Sequence, residues 1–326
     1  MKPEAIEQAR KRIAAHINRT PLLQSHMLDR FLGCEIFFKY EGAQKIGAFK
    51  ARGALNALLS LQERKQMPQH VVAYSSGNHA QAVAWAAKLL GAKATIFIPE
   101  NAAQVKIAAT RAYGADVVLT KRRQEAEDGA KELAAKDNAF LLPPYDHDDV
   151  IAGQGTAALE AWEAEGNFDA VFTPVGGGGL VSGTFLATRL FSAEAEVYAA
   201  EPETANDAAR SYASGKIFRF EDTPKTIADG VRTLGVSART FEYIRQLDGI
   251  YEIAEEDILY WSQWLMHLLK VTVEPTSALG MAAAHKWIGE GGRGKRILVI
   301  LSGANLDRET YNAIWEKDRL TQLPAL

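Results

Sequence analysis

The sequence predicts an α/β protein of two lobes, each a mostly parallel sheet flanked by helices. Three observations point there. Short apolar runs alternate with longer amphipathic segments, glycines stand at the joins, and one Pro- and Asp-rich seam interrupts the pattern. Short strands separated by helices of this length pair in parallel, because a parallel pair needs a crossover long enough to return the chain. In order, Val71-Val72-Ala73-Tyr74, residues 94–98, residues 117–119 and residues 139–142 are apolar, largely β-branched runs that read as strands. Helices are predicted between them over 78–91, 101–112 and 122–136. Gly91 and Gly114 stand where helix C-caps belong. The seam Leu142-Pro143-Pro144-Tyr145-Asp146-His147-Asp148-Asp149 reads as a crossing between lobes. The alternation then resumes with a strand over 169–173, a helix over 180–191 and a strand over 197–200. Helices at about 255–270 and 276–289 and a buried strand over 296–301 close it. The lobes are predicted as residues 66–147, and residues 1–65 together with 148–326; Leu323 to Leu326 read as a frayed tail.

Composition narrows the function classes. The 326 residues suit two domains of about 150 each. Lys plus Arg number 37 against 40 Asp plus Glu, a formal charge of −3. That balance argues against nucleic acid and anionic membrane as partners, since phosphate backbones select a basic surplus. Cys34 is the single cysteine, so an internal disulfide and a cysteine-based zinc framework are both excluded. The first residues carry no apolar signal run, and no stretch approaches the ~20 apolar residues of a membrane span, so a cytoplasmic protein is expected.

Four segments carry chemistry. Gly176-Gly177-Gly178-Gly179 follows an apolar strand and opens a helix. Its bare N–H groups and the positive end of the helix dipole form a cradle for phosphate. The dinucleotide fingerprint G-x-G-x-x-G fails, because its sixth position falls on Val181 or Ser182; the alternative is a tight strand-to-helix turn. Gly289 to Lys295 imitates the start of a P-loop but continues with Arg296 and precedes a strand, so it is set aside. In the second segment, residues 47–54, Lys50 stands among small and apolar residues at a helix start. A desolvated lysine loses its charge readily and can form a Schiff base, although a solvated helical lysine is the ordinary outcome. The third, Ser75-Ser76-Gly77-Asn78-His79, follows a strand and offers hydroxyls, N–H groups and an amide to a ligand carboxylate, or simply caps the helix. The fourth, Leu301-Ser302-Gly303-Ala304-Asn305, lies at the carboxyl end of the last strand, where open parallel sheets bind ligands.

These segments, in this order, resemble the fold-type II pyridoxal-phosphate enzymes, in the branch of serine/threonine dehydratases, serine racemases and 3-hydroxyaspartate dehydratases. Val150 to Thr156, Thr226 to Gly230 and Val273-Glu274-Pro275-Thr276 match in register, so the resemblance covers essentially the whole chain. It implies the two-domain, tryptophan synthase beta-like architecture, pyridoxal 5'-phosphate as cofactor and a homodimer. It implies that Lys50 bonds the cofactor, that Gly176, Gly177, Gly178 and Gly179 bind its phosphate, and that Asn78 meets the ring hydroxyl. Ser302 faces the ring nitrogen and Phe49 packs on the ring. Ser75, Ser76, Asn78 and His79 surround the substrate carboxylate.

A neutral serine at the ring nitrogen makes a shallower electron sink than an aspartate would, which favours prompt β-elimination over transamination. The implied reaction is dehydration of L-serine or L-threonine. Lys50 takes the α-proton, water leaves, and the enamine hydrolyses to a 2-oxo acid and ammonia. Ser-Ser-Gly-Asn, with Ser76 where ordinary threonine dehydratases carry alanine, resembles the racemases and hydroxyaspartate dehydratases. Ser76 is then an acid/base on the opposite face, or only a helix cap. Racemisation and 3-hydroxyaspartate dehydration are the close alternatives; a non-catalytic phosphate-binding or nucleotide-binding α/β protein is the alternative from another class. The segment 201–207 resembles a divalent-cation loop, implying Glu201, the Ala205 carbonyl and Asp207 as oxygen ligands for Mg²⁺ or Ca²⁺. Ile46 stands where relatives often have threonine. Trp261, Trp264 and His267 read as core, Cys34 as buried and inert, and Arg122 and Arg123 as the solvated start of a helix, or as a partner for a second substrate carboxylate.

Overall fold

The computed structural model describes residues 1–75 and 77–325. Ser76 lies outside the described residues. The chain opens with α1 (Glu4–Ile13), β1 (Leu22–Leu23), α2 (His26–Leu32) and β2 (Glu35–Tyr40), then α3 (Lys50–Glu63). Next come β3 (His70–Tyr74), α4 (Asn78–Leu89), β4 (Lys93–Pro99), α5 (Gln104–Ala112), β5 (Asp116–Thr120), α6 (Arg123–Lys136) and β6 (Phe140–Leu141). After the seam follow α7 (Asp148–Glu165), β7 (Ala170–Pro174), α8 (Gly179–Phe191), β8 (Glu196–Pro202), α9 (Asp207–Ser214), α10 (Ala238–Ile244) and β9 (Gly249–Ile253). The chain ends with α11 (Glu255–Leu269), α12 (Pro275–Trp287), β10 (Arg296–Leu301) and α13 (Arg308–Ile314).

The strands form two sheets. One has the order β1-β2-β10-β7-β8-β9, parallel except for the β1–β2 pair. The other has the order β5-β4-β3-β6 and is parallel throughout. The fold is therefore the two-sheet α/β arrangement that the alternating pattern predicts. Gly91 (φ +74°) and Gly114 (φ +104°) follow the ends of α4 and α5 in the left-handed conformation, as C-cap glycines do.

Apolar residues fill three clusters. Two lie on opposite faces of the larger sheet, one under α7 and α8 and one under α11 and α12. The third joins the smaller sheet to α3 and α4. Helices α7 and α8 pack backbone to backbone at Gly155 and Gly183. A Cβ at Gly155 would stand 2.6 Å from the Gly183 carbonyl oxygen, so the glycine there is set by close approach. Beneath α3 lies a fully buried charge cluster. Arg52 donates Nε to Glu41 Oε2 (2.7 Å), Nη2 to Glu41 Oε1 (2.8 Å) and Nη1 to Glu160 Oε1 (2.8 Å). Lys39 donates Nζ to Glu160 Oε2 (2.8 Å), and Thr20 donates its hydroxyl to Glu41. Burial pulls against it, but Arg52 and Lys39 hold the Glu160 carboxyl below the usual range. The cluster ties β2, α3 and α7 together.

Two expectations need correction. Trp261 and Trp264 are core at 2% exposure, but His267 is exposed and only leans edge-on against Trp264, because it falls off the buried stripe of α11. The tail is tethered through Ala325. Trp264 Nε1 and Tyr260 Oη donate to the Gln322 carbonyl, and His285 Nε2 donates to the Ala325 carbonyl. Cys34 is buried, with its thiol toward the Gly292 carbonyl.

Candidate active site

The carboxyl ends of the two sheets face each other across one cleft. It gathers Phe49, Lys50, Ser75, Asn78, His79, Gly176, Gly177, Gly178, Gly179 and Ser302 on one surface. Four separate segments of the sequence thus converge. Ser75 follows β3, Gly176 follows β7, and Ser302 follows β10. Lys50 is brought to Ser302 by an isolated antiparallel bridge between Ala48 and Gly303, closed by Phe49 N donating to the Ser302 carbonyl (3.0 Å).

Lys50 begins α3 with its ammonium nitrogen 5.0 Å from the Phe49 ring centroid and 2.7 Å from the Pro144 carbonyl, to which it donates. Among the described residues no carboxylate compensates this burial, and the lysine falls to about 7. Its amine is therefore partly neutral at neutral pH, the state a nucleophile and base needs.

The glycine loop could hold an anion. Gly178 takes φ +91° and caps α8. A Cβ on Gly177 would stand 2.1 Å from the Tyr145 ring, and one on Gly179 would stand 2.4 Å from Gln154 Oε1. Among the described residues, no protein acceptor takes the N–H groups of Gly176 to Gly179. Unpaired buried donors at a helix N-terminus call for a phosphate-like guest. Gln154 Oε1 is also buried without a partner beside the loop.

Asn78 opens α4. Its Nδ2 donates to both Glu274 oxygens (3.1 Å each), and its Oδ1 accepts from Asn305 Nδ2 (2.8 Å). Glu274 is 2% exposed and is raised to about 7, by burial first and by Asp229 next. Burial drives His79 down to about 3, so its ring is neutral; Nε2 donates to the Leu142 carbonyl (2.9 Å). The ring of His79 therefore fixes the seam, leaving its N–H at the start of α4 for a ligand. Ser302 is 1% exposed, and its hydroxyl stands 3.3 Å from that of Ser277. Lys106 pairs with Asp229 across the cleft.

Sequence reasoning did not assign Glu274, Asn305, Tyr145 or the Lys106–Asp229 pair. Glu274 and Asp229 lay inside segments already singled out, 273–276 and 226–230. A buried acid in such a segment was the available signal.

The acidic loop lies at the end of β8. Glu201 accepts from Ala208 N and Ala209 N (3.3 and 2.6 Å). Both Asp207 oxygens are buried without a hydrogen-bond partner. Burial, then Asp207, raises the Glu201 carboxyl well above its ordinary value. The two unpartnered Asp207 oxygens beside the Glu201 carboxylate could hold a cation. Among the described residues, no three His, Cys, Asp or Glu side chains converge as a metal site, so a cation here would complete its shell with a carbonyl and water.

Comparison with known proteins agrees with the geometry. The family model for "Pyridoxal-phosphate dependent enzyme" matches residues 13–303. An L-threo-3-hydroxyaspartate ammonia-lyase of Saccharomyces cerevisiae is 46% identical over 305 residues, 93% of each chain. A serine racemase of Schizosaccharomyces pombe is 44% identical over 308 residues, 94% of each chain. The solved structure of a threonine deaminase from Solanum lycopersicum superposes with a TM-score of 0.89 at 32% identity, covering 98% of this chain and 94% of the other. With a family model over most of its length and relatives above 40% identity, the chain belongs to the pyridoxal-phosphate dependent enzymes.

Proposed function

We propose that the chain is an ammonia-lyase that dehydrates small L-β-hydroxy amino acids, releasing a 2-oxo acid and ammonia. Serine and threonine are the first substrates, with 3-hydroxyaspartate dehydration and serine racemisation as companion activities. The observation that carries this reading is Lys50, desolvated to about 7 in the cleft that also holds the glycine cradle and a neutral serine at a strand end.

In this reading Lys50 holds the cofactor covalently and the N–H groups of Gly176 to Gly179 take its phosphate. Asn78 meets the ring hydroxyl, Ser302 the ring nitrogen, and Phe49 packs on the ring. Bound pyridoxal phosphate supplies the electron sink that makes the Cα–H bond acidic. The protein does the rest. Ser75, Ser76, Asn78 and the start of α4 receive the substrate carboxylate, where N–H groups and the helix dipole favour an anion. Lys50 Nζ accepts the α-proton, which the neutral fraction of a lysine near 7 can do at neutral pH. Glu274 and Asn305 orient the Asn78 amide. The sequence motif at Ser76 supports reprotonation from the opposite face, which yields the racemised amino acid.

A divalent cation, Mg²⁺ or Ca²⁺, held by Glu201, Asp207 and the Ala205 carbonyl belongs to the same reading. Its support is the pair of orphaned Asp207 oxygens. So do a catalytic unit divided at 65/66 and 147/148, a homodimer, and a cytoplasmic setting, which suits a single unpaired cysteine. No helix among the described residues is long and apolar enough to cross a membrane.

The test is 2-oxo acid release from serine, threonine and 3-hydroxyaspartate, with a chiral assay for D-serine and Lys50→Ala as control. Cofactor-loaded protein that releases nothing from all three substrates would return the phosphate-binding alternative. Unchanged turnover by Lys50→Ala would remove Lys50 from its role.

A further inference from the structure

We propose that Arg123 reads a second carboxylate on the substrate, so that the acidic β-hydroxy amino acids are the preferred class. The inference rests on the ammonia-lyase reading above and names the specificity residue of that site.

The charges on the cleft wall are mostly committed. Lys50 donates to the Pro144 carbonyl, and Lys106 pairs with Asp229. Glu274 is held by Asn78 and Asn305. Arg232 turns Nε and Nη2 onto the Thr226 carbonyl. Arg123 differs. It is half-buried on the cleft wall, and its one hydrogen bond runs from Nη1 to the Arg232 carbonyl (2.8 Å). Among the described residues it has no carboxylate within ion-pair distance. Glu127, one turn along α6, is taken by Lys131 at 2.7 Å. Its neighbour Arg122 is exposed and paired with Glu125, so of the two arginines only Arg123 is left over. A guanidinium carries five N–H donors, and most of these remain for a guest.

The placement suits a dicarboxylate. Arg123 opens α6 just beyond the carboxyl end of β5, on the same sheet edge as Ser75 at the end of β3. One strand, β4, lies between them, which sets the two strand ends about 10 Å apart. A four-carbon dicarboxylate anchored by its α-carboxylate at Ser75 reaches part of that distance, and the arginine stem covers the remainder. A planar guanidinium binds carboxylate in a two-pronged fork, which a methyl or hydrogen at the same position cannot exploit. A second groove at the cleft mouth adds Lys121 and Arg122, alongside Glu221, Asp222 and Glu127, so the mouth itself is of mixed sign and selection falls to Arg123.

The test compares wild type, Arg123→Gln and Arg123→Lys, each loaded with cofactor. The readout is the ratio of kcat/KM for 3-hydroxyaspartate to that for serine. Arg123→Gln should lower the ratio about 10- to 150-fold, the worth of a charge-assisted pair, chiefly through KM; Arg123→Lys should restore part of it. A binding measurement runs beside it. By calorimetry, wild type should prefer succinate to butyrate, and Arg123→Gln should lose that preference. A ratio unchanged within about threefold overturns the proposal. So does weaker cofactor binding with both substrates falling together, which would assign Arg123 to the cofactor phosphate. Should Arg123→Gln fail to fold, the wild-type succinate preference and Arg123→Lys decide it. Wild type that dehydrates serine without favouring hydroxyaspartate refutes the specificity alone, whereas wild type inert toward every substrate refutes the lyase reading.

Discussion

Arg52→Met isolates the buried charge cluster under α3. The four side chains Lys39, Arg52, Glu41 and Glu160 sum to zero charge, and each is at most 2% exposed. Removing the guanidinium leaves a net buried charge of −1. Glu41 would keep only the Thr20 hydroxyl, and Glu160 only Lys39. Breaking a buried pair from one side costs about 3–5 kcal/mol, because the stranded carboxylate has neither water nor partner. A loss of that size is expected in urea unfolding followed by tryptophan fluorescence and circular dichroism.

The cost should also depend on pH in a definite direction. A negative charge stranded in the interior is costly only while the cluster's carboxylates are ionised, so the loss is smaller at acid pH and grows as pH rises. The deficit of Arg52→Met should therefore shrink on going from pH 8 toward about pH 5. Adding Glu41→Gln, which removes the stranded charge, should return a substantial part of the loss at pH 8. A deficit below about 1 kcal/mol, or one indifferent to pH and to Glu41→Gln, would show that α3 is held by its apolar face and not by this cluster.

Three further outcomes are expected. In cofactor-free protein, labelling of Lys50 by acetic anhydride should rise through a midpoint near 7, while surface lysines rise near 10; mass spectrometry reads both, and a Lys50 midpoint near 10 refutes its desolvation. Gly177→Ala must displace the Tyr145 ring, 2.1 Å from the new Cβ, and should weaken cofactor binding at least about tenfold in an absorbance titration with the circular dichroism spectrum kept; unchanged binding refutes the cradle. Millimolar Mg²⁺ or Ca²⁺ should raise the melting temperature of wild type but not of Asp207→Ala, and an equal rise in both refutes the cation loop.

The parts of this molecule legible in the sequence are those whose chemistry is local. Four consecutive glycines after an apolar strand mark the strand-to-helix loop on their own, and the alternation from β3 to β6 declares a parallel sheet. What escaped is held by residues far apart in the chain. Strand β2 reads poorly because Lys39 interrupts its apolar run, and that lysine makes sense only beside Glu160, 121 positions away. Glu274 resembles any acid before a proline until Asn78, 196 positions earlier, is laid against it. His267 failed for the opposite reason. Its spacing from Trp264 suggests a shared face, yet three positions along a helix turn about 300°, enough to carry the last residue of a stripe into solvent.

The seam shows why the lobes and the site cannot be argued apart. Sequence marks it only as a crossing, but its backbone lies inside the chemistry. The Pro144 carbonyl accepts from both Lys50 Nζ (2.7 Å) and Gln154 Nε2 (3.1 Å). The Leu142 carbonyl is held by His79 on α4, and the Tyr145 ring lies on Gly177 of the cradle. Residues 142–145 therefore connect Lys50, the start of α4 and the glycine loop. A shift of the smaller sheet moves α4, and with it His79, the seam carbonyls and the acceptor opposite Lys50. The desolvation of Lys50 is consequently a property of how the two sheets meet, which local sequence around the lysine does not encode.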